Sequence, residues 1–260
     1  MISVQGLTKR YGNRQVLQDL NVDFASGKLT ALIGPNGAGK SSLLMCLARL
    51  LTADSGQILL SGQDIQAFSL PDYAKQVATL CQFQALQLQL KVGELVAFGR
   101  FPHSQGRLQR SDHLAIAQAL DLLGLTPLQN AVLHELSGGQ RQLAFMAMVV
   151  AQQTPYLLLD EPLNNLDLKH AVQLMQVLCH LRDQQQKTVI VVLHDLNMAA
   201  NYADQVVAMQ QGCIRHAGDV GQVMTATTLS ELYQLPIQVL HTELGRFCHY
   251  FNQPEKLYAC

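Results

Sequence analysis

Eight consecutive residues, 34–41, have the types and spacing needed to hold a phosphate group. They fit the pattern G-x-x-x-x-G-K-[ST], follow a short apolar stretch and precede leucines at helical spacing. The glycines let backbone N–H groups converge on phosphate oxygens, and the N-terminus of the following helix adds a favourable dipole. Lys40 is placed to contact the β- and γ-phosphates of ATP, and the Ser41 hydroxyl to ligate Mg²⁺. The expected nucleotide contacts are Gly34, Pro35, Asn36, Gly37, Ala38, Gly39, Lys40, Ser41 and Ser42.

Three polar side chains elsewhere could complete such a site. Asp160 follows three leucines at the end of a predicted strand, and it is the natural second ligand for Mg²⁺. Glu161 comes next and can polarise an attacking water, either by taking its proton or by orienting it only. His194 follows another apolar strand. Because ligands of parallel sheets bind beyond the carboxyl ends of the strands, we expect His194 to contact the γ-phosphate.

A second phosphate-binding pattern occupies residues 136–140, Leu-Ser-Gly-Gly-Gln, and precedes the apolar run 143–151. A serine and two glycines before an apolar helix leave backbone N–H groups free to bind an anion. We therefore expect Ser137, Gly138, Gly139 and Gln140 to bind phosphate as well. One chain would then carry two devices for one triphosphate, which raises the question of whether both reach the same ATP.

Alternating strands and helices have to position these groups. Alternating polarity over residues 20–24 and the apolar stretch 29–33 predict two strands. Leucines at helical spacing from Leu43 to Leu51 predict a helix after the second strand. Further strands are predicted at 58–60, 156–159 and 189–193, and further helices at 111–123 with Ser111 as N-cap, 143–151, 168–185 and 197–202. This alternation predicts an α/β fold in which helices cover both faces of a mostly parallel sheet.

Composition narrows the classes of function. The chain has 260 residues, of which 48% are hydrophobic and 14% charged, and its net charge is −1. No basic cluster of the kind that nucleic-acid binding requires is present, and no apolar run reaches the 18 residues of a membrane span. The six cysteines show no CxxC spacing, which indicates reduced thiols in a cytoplasmic protein.

The order and spacing of these motifs resembles the nucleotide-binding subunits of ATP-binding cassette (ABC) transporters over nearly the whole chain. Gln82 and the segment Asn164-Asn165-Leu166-Asp167 fit the same pattern. The resemblance implies a P-loop NTPase fold with a mostly parallel core sheet, an N-terminal antiparallel β subdomain and a helical insertion. It further implies one domain, with a catalytic core at about 1–74 and 150–260 and a helical part at about 75–149 that contains residues 136–140.

The resemblance also assigns roles to single residues. Tyr11 looks like the aromatic platform for adenine, with an ordinary strand aromatic as the alternative. Gln82 looks like a residue that contacts Mg²⁺ or water and senses the membrane partner. Residues 137–140 look like the signature that binds the γ-phosphate held by the opposite subunit, and Asp167 ends a segment that crosses the dimer interface. His194 looks like the switch at the γ-phosphate.

These roles imply partners. A helical insertion separates residues 34–41 from residues 137–140, so one chain is not expected to close both around one ATP. Two copies arranged head to tail would form two sites. Integral membrane permease subunits would bind near Gln82 and residues 84–103 at the cytoplasmic face of the cell membrane, with a substrate-binding protein as an indirect partner. The apolar residues there also fit core packing, and they are Phe83, Leu86, Leu88 and Leu90.

Within the family, residues 77–82, 97–103, 154–162 and 194–200 are similar to ATPase subunits of importers of ferric siderophores, haem and vitamin B12. The chain departs from the usual pattern at Cys81, Leu143 and Leu163, away from the phosphate chemistry. The rival interpretations are a soluble ABC-type ATPase acting on DNA or ribosomes and a general P-loop ATPase or kinase, which would lack residues 136–140. A tail metal site at His241, Cys248 and His249 matches no standard ligand spacing.

Overall fold

A computed structural model describes residues 1–81 and 89–251 of the chain. Its strands and helices, in chain order, are β1 (Ile2–Tyr11), β2 (Arg14–Phe24), β3 (Leu29–Ile33), α1 (Lys40–Leu47), β4 (Ser55–Leu60), β5 (Gln63–Asp64), α2 (Leu70–Ala74), β6 (Val77–Leu80), α3 (Val92–Phe98), α4 (Phe101–Ser104), α5 (Arg110–Leu122), α6 (Gly138–Ala151), β7 (Tyr156–Leu159), α7 (Leu168–Gln185), β8 (Thr188–Val192), α8 (Leu196–Tyr202), β9 (Gln205–Gln210), β10 (Cys213–Asp219), α9 (Val220–Val223), α10 (Ala226–Tyr233), β11 (Gln238–Thr242) and β12 (Gly245–His249). Short 3₁₀ helices lie at Ile65–Ala67, Thr126–Leu128 and Leu133–Glu135.

The central sheet has the strand order β10-β9-β3-β8-β7-β6. Its neighbouring strands are parallel except that β10 runs antiparallel to β9 at one edge. Every residue of β3, β7 and β8 is buried, as expected for parallel strands covered by helices on both faces. This arrangement confirms the predicted α/β class and the mostly parallel sheet, and it brings the carboxyl ends of β3, β7 and β8 to one edge.

The N-terminal strands form a separate antiparallel sheet with the order β2-β1-β4-β5. The predicted antiparallel β region is thereby confirmed. At the end of the β1–β2 hairpin Tyr11 pairs with Arg14, so both side chains lie at the same extremity of this sheet. The backbone N–H of Gln18 donates to the carbonyl of Gly212 at 2.8 Å, which ties β2 to the turn between β9 and β10.

Helices α3, α5 and α6 pack together into the helical part of the chain, around an apolar core that continues beneath the central sheet. Within the helical part, a buried ion pair joins Arg100, which precedes α4, to Asp112 of α5. The Arg100 Nε donates to Asp112 at 2.9 Å, and its Nη1 donates to the carbonyl of Ala151, the last residue of α6, at 2.9 Å. Since both charges are buried, losing either partner alone would leave the other uncompensated.

Three boundaries differ from the sequence-based expectations. Strand β6 lies inside the range expected for the helical part, yet it pairs with β7 as an edge of the central sheet. Helix α5 has Gln109 rather than Ser111 as N-cap, because Asp112 accepts the Gln109 N–H at 2.9 Å. Helix α1 ends at Leu47, because Arg49 takes a left-handed conformation with φ 59°, so Leu50 lies outside the helix.

The C-terminal region closes against the central sheet through α10 and the β11–β12 hairpin. Asn201 of α8 accepts the N–H of Arg246 at 2.9 Å and donates to its carbonyl at 2.7 Å. Asn197 accepts the N–H of Cys248 at 2.7 Å. Only the N-cap residue Asp195 separates His194 from α8, so this hairpin is fastened to the helix that begins beside a candidate site residue. Within the residues that the structure describes, no helix combines the length and apolarity needed to cross a membrane.

Candidate active site

The loop between β3 and α1 can be built only with glycines at two positions. Gly34 has φ 140°, and a Cβ added there would lie 2.0 Å from the carbonyl oxygen of Met209. Gly39 has φ 99°, and a Cβ there would lie 2.7 Å from the carbonyl oxygen of Val16. The close approach of two neighbouring strands therefore selects glycine, and α1 begins immediately afterwards at Lys40.

Lys40 is folded back into this loop. Its Nζ donates to the carbonyl oxygens of Gly34 at 2.7 Å and Pro35 at 3.0 Å, and only 5% of the residue is exposed. Burial lowers the pKa of Lys40, and the nearby carboxylates of Glu161 and Asp160 oppose that shift. A desolvated ammonium held by neutral acceptors is well suited to exchange them for phosphate oxygens.

Ser41 and Asp160 lie side by side, as the sequence predicts for two ligands of one cation. The Ser41 hydroxyl donates to Asp160 Oδ1 at 3.0 Å across 119 residues of chain. Asp160 follows β7 and is 3% exposed, and burial raises its pKa above the ordinary value for an aspartate. A hydroxyl beside a desolvated carboxylate supplies the oxygen ligands that Mg²⁺ prefers, so the donor set fits this ion.

Glu161 is held by two side chains at once. Its Oε1 lies 2.6 Å from His194 Nε2, and its Oε2 accepts from Asn164 Nδ2 at 2.6 Å. The Glu161 backbone is left-handed at φ 50°, an uncommon conformation for a non-glycine residue that is enriched at functional sites. The predicted meeting of residues from the ends of two strands is therefore present, and these two contacts orient the carboxylate.

Two adjoining clefts lie along the phosphate loop. The first has a volume of about 240 Å³, and the second, of about 480 Å³, continues on the other side of the loop. The first is lined by Arg14, Val16, Asn36, Gly37, Ala38, Gly39, Lys40, Ser41, Ser42 and Glu161. Ser42 and the whole loop after Pro35 thus share one cleft with Glu161.

Several residues lining these clefts are absent from the sequence-based site, among them Arg14, Val16 and Tyr233. Arg14 and Val16 come from β2, and the pairing of Arg14 with Tyr11 across the hairpin is a signal that could have indicated them. Tyr233 lines the larger cleft, 199 residues after Gly34, and no local pattern points to it. Tyr11 itself is 52% exposed at the hairpin end, with the Lys9 ammonium 6.0 Å from its ring centre.

The second phosphate-binding pattern forms the start of α6. The Ser137 hydroxyl accepts the N–H of Gln140 at 3.2 Å, and the Ser137 N–H donates to the Gln140 side chain at 3.1 Å, a reciprocal capping box. The positions for a Cβ on Gly138 and Gly139 lie 3.5 and 3.3 Å from atoms of Asn165. In the described part of the chain, residues 137–140 line neither cleft, and Ser137 and Gly138 face solvent.

The remaining predicted residues either line neither cleft or lie outside the described residues. Gln82, Phe83, Leu86 and Leu88 lie outside the described residues, whereas Leu90 packs against the core. Asp167 caps α7 by accepting the N–H of His170 at 2.8 Å. Among residues 1–81 and 89–251, no three His, Cys, Asp or Glu side chains come close enough to hold a metal ion.

This arrangement defines a nucleotide-hydrolysing P-loop protein. It combines a phosphate loop, a buried aspartate beside the serine of that loop, and an oriented glutamate at the ends of parallel strands. The sequence profile described as ABC transporter matches residues 17–164. The chain belongs to the ABC transporter family, and it is an ATP-binding and ATP-hydrolysing member of it.

Individual proteins that are similar to this chain in sequence or structure support its assignment to this family. The petrobactin import ATP-binding protein YclP of Bacillus subtilis is 43% identical over 97% of this chain and 100% of its own length. The ferric enterobactin transport ATP-binding protein FepC of Escherichia coli is 39% identical over 90% of this chain and 87% of its own. A solved inward-facing metal-chelate type ABC transporter is 28% identical with a TM-score of 0.81, over 96% of each chain.

Proposed function

We propose that this chain is the ATPase subunit of an importer of ferric siderophores or a related iron chelate. The cargo is proposed because the similar proteins are named for petrobactin and ferric enterobactin import. A hemin import protein from Plesiomonas shigelloides is also similar, at 36% identity, so haem is the cargo against which the proposal is tested. The chain would work at the cytoplasmic face of the cell membrane.

The observation that carries hydrolysis is the 2.6 Å contact between Glu161 and His194 beside the phosphate loop. Glu161 polarises the attacking water, and His194 orients that carboxylate and contacts the γ-phosphate. Lys40 and the loop amides hold the β- and γ-phosphates. Ser41, Asp160 and Gln82 would hold Mg²⁺, which supplies positive charge at the phosphate oxygens. Tyr11, which pairs across the hairpin with the cleft-lining residue Arg14, would stack on adenine.

A second copy of the chain would stabilise the transition state of ATP hydrolysis. Ser137 and Gly138 face solvent outside the cleft that Lys40 and Glu161 share, and this supports binding of phosphate from another subunit. The dimeric bacterial ABC transporter cassette MJ0796 is similar, with 25% identity and a TM-score of 0.76. Two copies in head-to-tail arrangement would enclose two ATP molecules, each between one phosphate loop and one signature.

Membrane permease subunits would bind next to the helical part of the chain. Phe98 of α3 and Phe101 of α4 are 55% and 60% exposed, and they lie inside the 84–103 region expected to contact a partner. Exposed aromatic rings on adjacent short helices provide apolar area suited to a protein interface. A substrate-binding protein would act on this chain only through the permeases.

The test is reconstitution. The chain is co-purified with its membrane subunits, placed in vesicles, and assayed for ATPase activity with binding protein loaded with a ferric siderophore, with haem, or left empty. We expect stimulation by the ferric siderophore. Stimulation by haem alone would overturn the cargo, and stimulation by DNA or ribosomes without membrane subunits would overturn the transport function.

The variant Asp160→Asn distinguishes two effects of this buried charge. One is the destabilisation of the free protein, and the other is the contribution to binding Mg-ATP. Because the pKa of Asp160 is raised, the folded chain holds this proton to a higher pH than the unfolded chain does. Stability therefore falls as the pH rises from the ordinary aspartate value through the raised one, and above that window the charge destabilises the free protein. We expect the free variant at neutral pH to unfold at a temperature no lower than the parent.

The same variant should lose the stabilisation that Mg-ATP gives the parent, which is about 2.7 kcal/mol at a hundredfold excess over Kd. Thermal unfolding with and without Mg-ATP measures both effects. Asp219→Asn, at an exposed carboxylate outside the clefts, is the control and should keep the full nucleotide shift. A full Mg-ATP shift in Asp160→Asn would remove Asp160 from the metal site.

A further inference from the structure

The first residue of the phosphate loop, Gly34, is held through both of its backbone polar groups. The N–H of Gly34 donates to the hydroxyl of Tyr233 at 3.0 Å, and the carbonyl of Gly34 accepts from Lys40 Nζ at 2.7 Å. Its Cα leaves no room for a side chain beside Met209. The entry to the loop is therefore fixed by one contact from a distant part of the chain and one from the lysine that binds phosphate.

The fold places the Tyr233 ring firmly. Helix α10 starts at the Thr225 cap, whose hydroxyl accepts the N–H of Thr228 at 3.2 Å, and it buries Leu229 and Leu232. At its end the carbonyl of Leu232 accepts from the Gln210 side chain at 3.0 Å. Helix α10 is thus anchored to β9, the strand that neighbours β3, so the last residue of the helix reaches the start of the loop.

The environment of the ring keeps the hydroxyl protonated. Burial raises the pKa of Tyr233 to about 12, and Cys248 and Tyr250 of the C-terminal region lie near it. At any pH used for ATP hydrolysis the phenol is neutral and offers an oxygen lone pair to Gly34. Gly34 itself is buried, and Tyr233 is the acceptor that the structure gives to its N–H.

We propose that Tyr233 is a positioning residue for the phosphate loop: its hydroxyl holds the Gly34 N–H so that the loop amides and Lys40 stay ready for phosphate. It does not touch the nucleotide phosphates itself. This inference rests on the proposed role of residues 34–41 in holding ATP. It extends the active site to a C-terminal helix that the sequence motifs of the site do not include.

Loss of the Tyr233 hydroxyl should lower the fraction of molecules whose phosphate loop is in the conformation that binds ATP. Without the hydroxyl, the buried N–H of Gly34 lacks an acceptor, and its peptide gains by turning towards water. The competent loop then becomes a minor state, and the apparent affinity for ATP falls by the fraction that is competent. Bound ATP restores the competent loop, so the rate at saturation is preserved. A raised KM for ATP with an unchanged kcat is therefore the result expected of this role.

Tyr233→Phe tests the inference, with Tyr73→Phe as a matched control. The Tyr73 hydroxyl is buried and donates to the carbonyl of Leu47 at the far end of α1, so its removal also deletes one buried tyrosine hydrogen bond. We expect Tyr233→Phe to raise the KM for ATP about tenfold with kcat within about twofold of the parent. Tyr73→Phe should keep the parent KM even where it lowers the unfolding temperature.

Amide exchange gives a second readout that does not depend on turnover. Deuterium uptake at Gly34, measured by mass spectrometry, should be faster in Tyr233→Phe than in the parent without nucleotide, and should return to the parent rate with Mg-ATP. An unchanged KM and unchanged exchange in Tyr233→Phe would overturn the inference, as would an equal KM rise in Tyr73→Phe. If the parent chain itself fails to bind Mg-ATP, the proposed function fails instead.

Discussion

Glu161→Gln is expected to bind ATP normally, to hydrolyse it about a hundredfold more slowly or worse, and to accumulate as an ATP-bound dimer. The amide keeps the shape of the side chain and its contact with Asn164, but it cannot take or attract the proton of the attacking water. General base catalysis commonly contributes about 10²- to 10⁴-fold. In the proposed cycle hydrolysis releases the two copies, so slowing it should hold them together.

Gel filtration with Mg-ATP, together with a turnover assay, measures this effect. Glu94→Gln makes the same chemical change at an exposed carboxylate in the cap of α3, and it should remain monomeric with parental turnover. If Glu161→Gln stays monomeric with ATP and hydrolyses it at the parent rate, the role of Glu161 is wrong.

Ser137→Arg is expected to abolish ATP-dependent dimer closure while each monomer still binds nucleotide. Ser137 caps α6 outside the cleft that contains Lys40, so a bulky cation there leaves the phosphate loop of its own chain intact. It would remove the donors offered to the other copy's γ-phosphate. Losing one preorganised donor to a transition state typically lowers kcat about 10²- to 10³-fold.

Two measurements separate these effects. Equilibrium binding of a fluorescent ATP analogue should give a Kd for Ser137→Arg close to that of the parent, and light scattering with Mg-ATP should find only monomer. Gln109→Arg adds the same charge at the N-cap of α5 and serves as the control, with parental closure and turnover. Loss of nucleotide binding by the Ser137→Arg monomer would place residues 137–140 in the site of their own chain.

Much of the fold could be predicted because its central strands are fully buried. The bounds of β3, β7 and α7 follow from apolar runs and helical periodicity, and all three agree with the structure. The end of α1 does not, because leucine spacing continues to Leu51 while the backbone turns left-handed at Arg49. The place of β6 at the sheet edge is likewise set by pairing with β7, which has no signal in the local sequence.

The candidate site likewise combines contacts that the sequence predicts with contacts that only the structure reveals. Fixed spacing predicts the phosphate loop, and the parallel sheet predicts that Asp160, Glu161 and His194 meet at one edge, as they do. The role of Asn164 as second partner of Glu161 depends on a left-handed turn that the residue types alone do not indicate. The contact between Tyr233 and Gly34 joins segments 199 residues apart, so only the tertiary structure can reveal it.

Mixing two inactive variants tests most directly whether each site is shared between two copies. Lys40→Ala has a defective phosphate loop and an intact signature, and Ser137→Arg has the reverse. In an equal mixture half of the pairs are mixed, and each mixed head-to-tail pair contains one intact site of two. If the two sites act independently, we expect ATPase activity of about a quarter of the parent rate. Activity no higher than that of the two variants assayed separately, with both still folded, would contradict a site completed by a second copy.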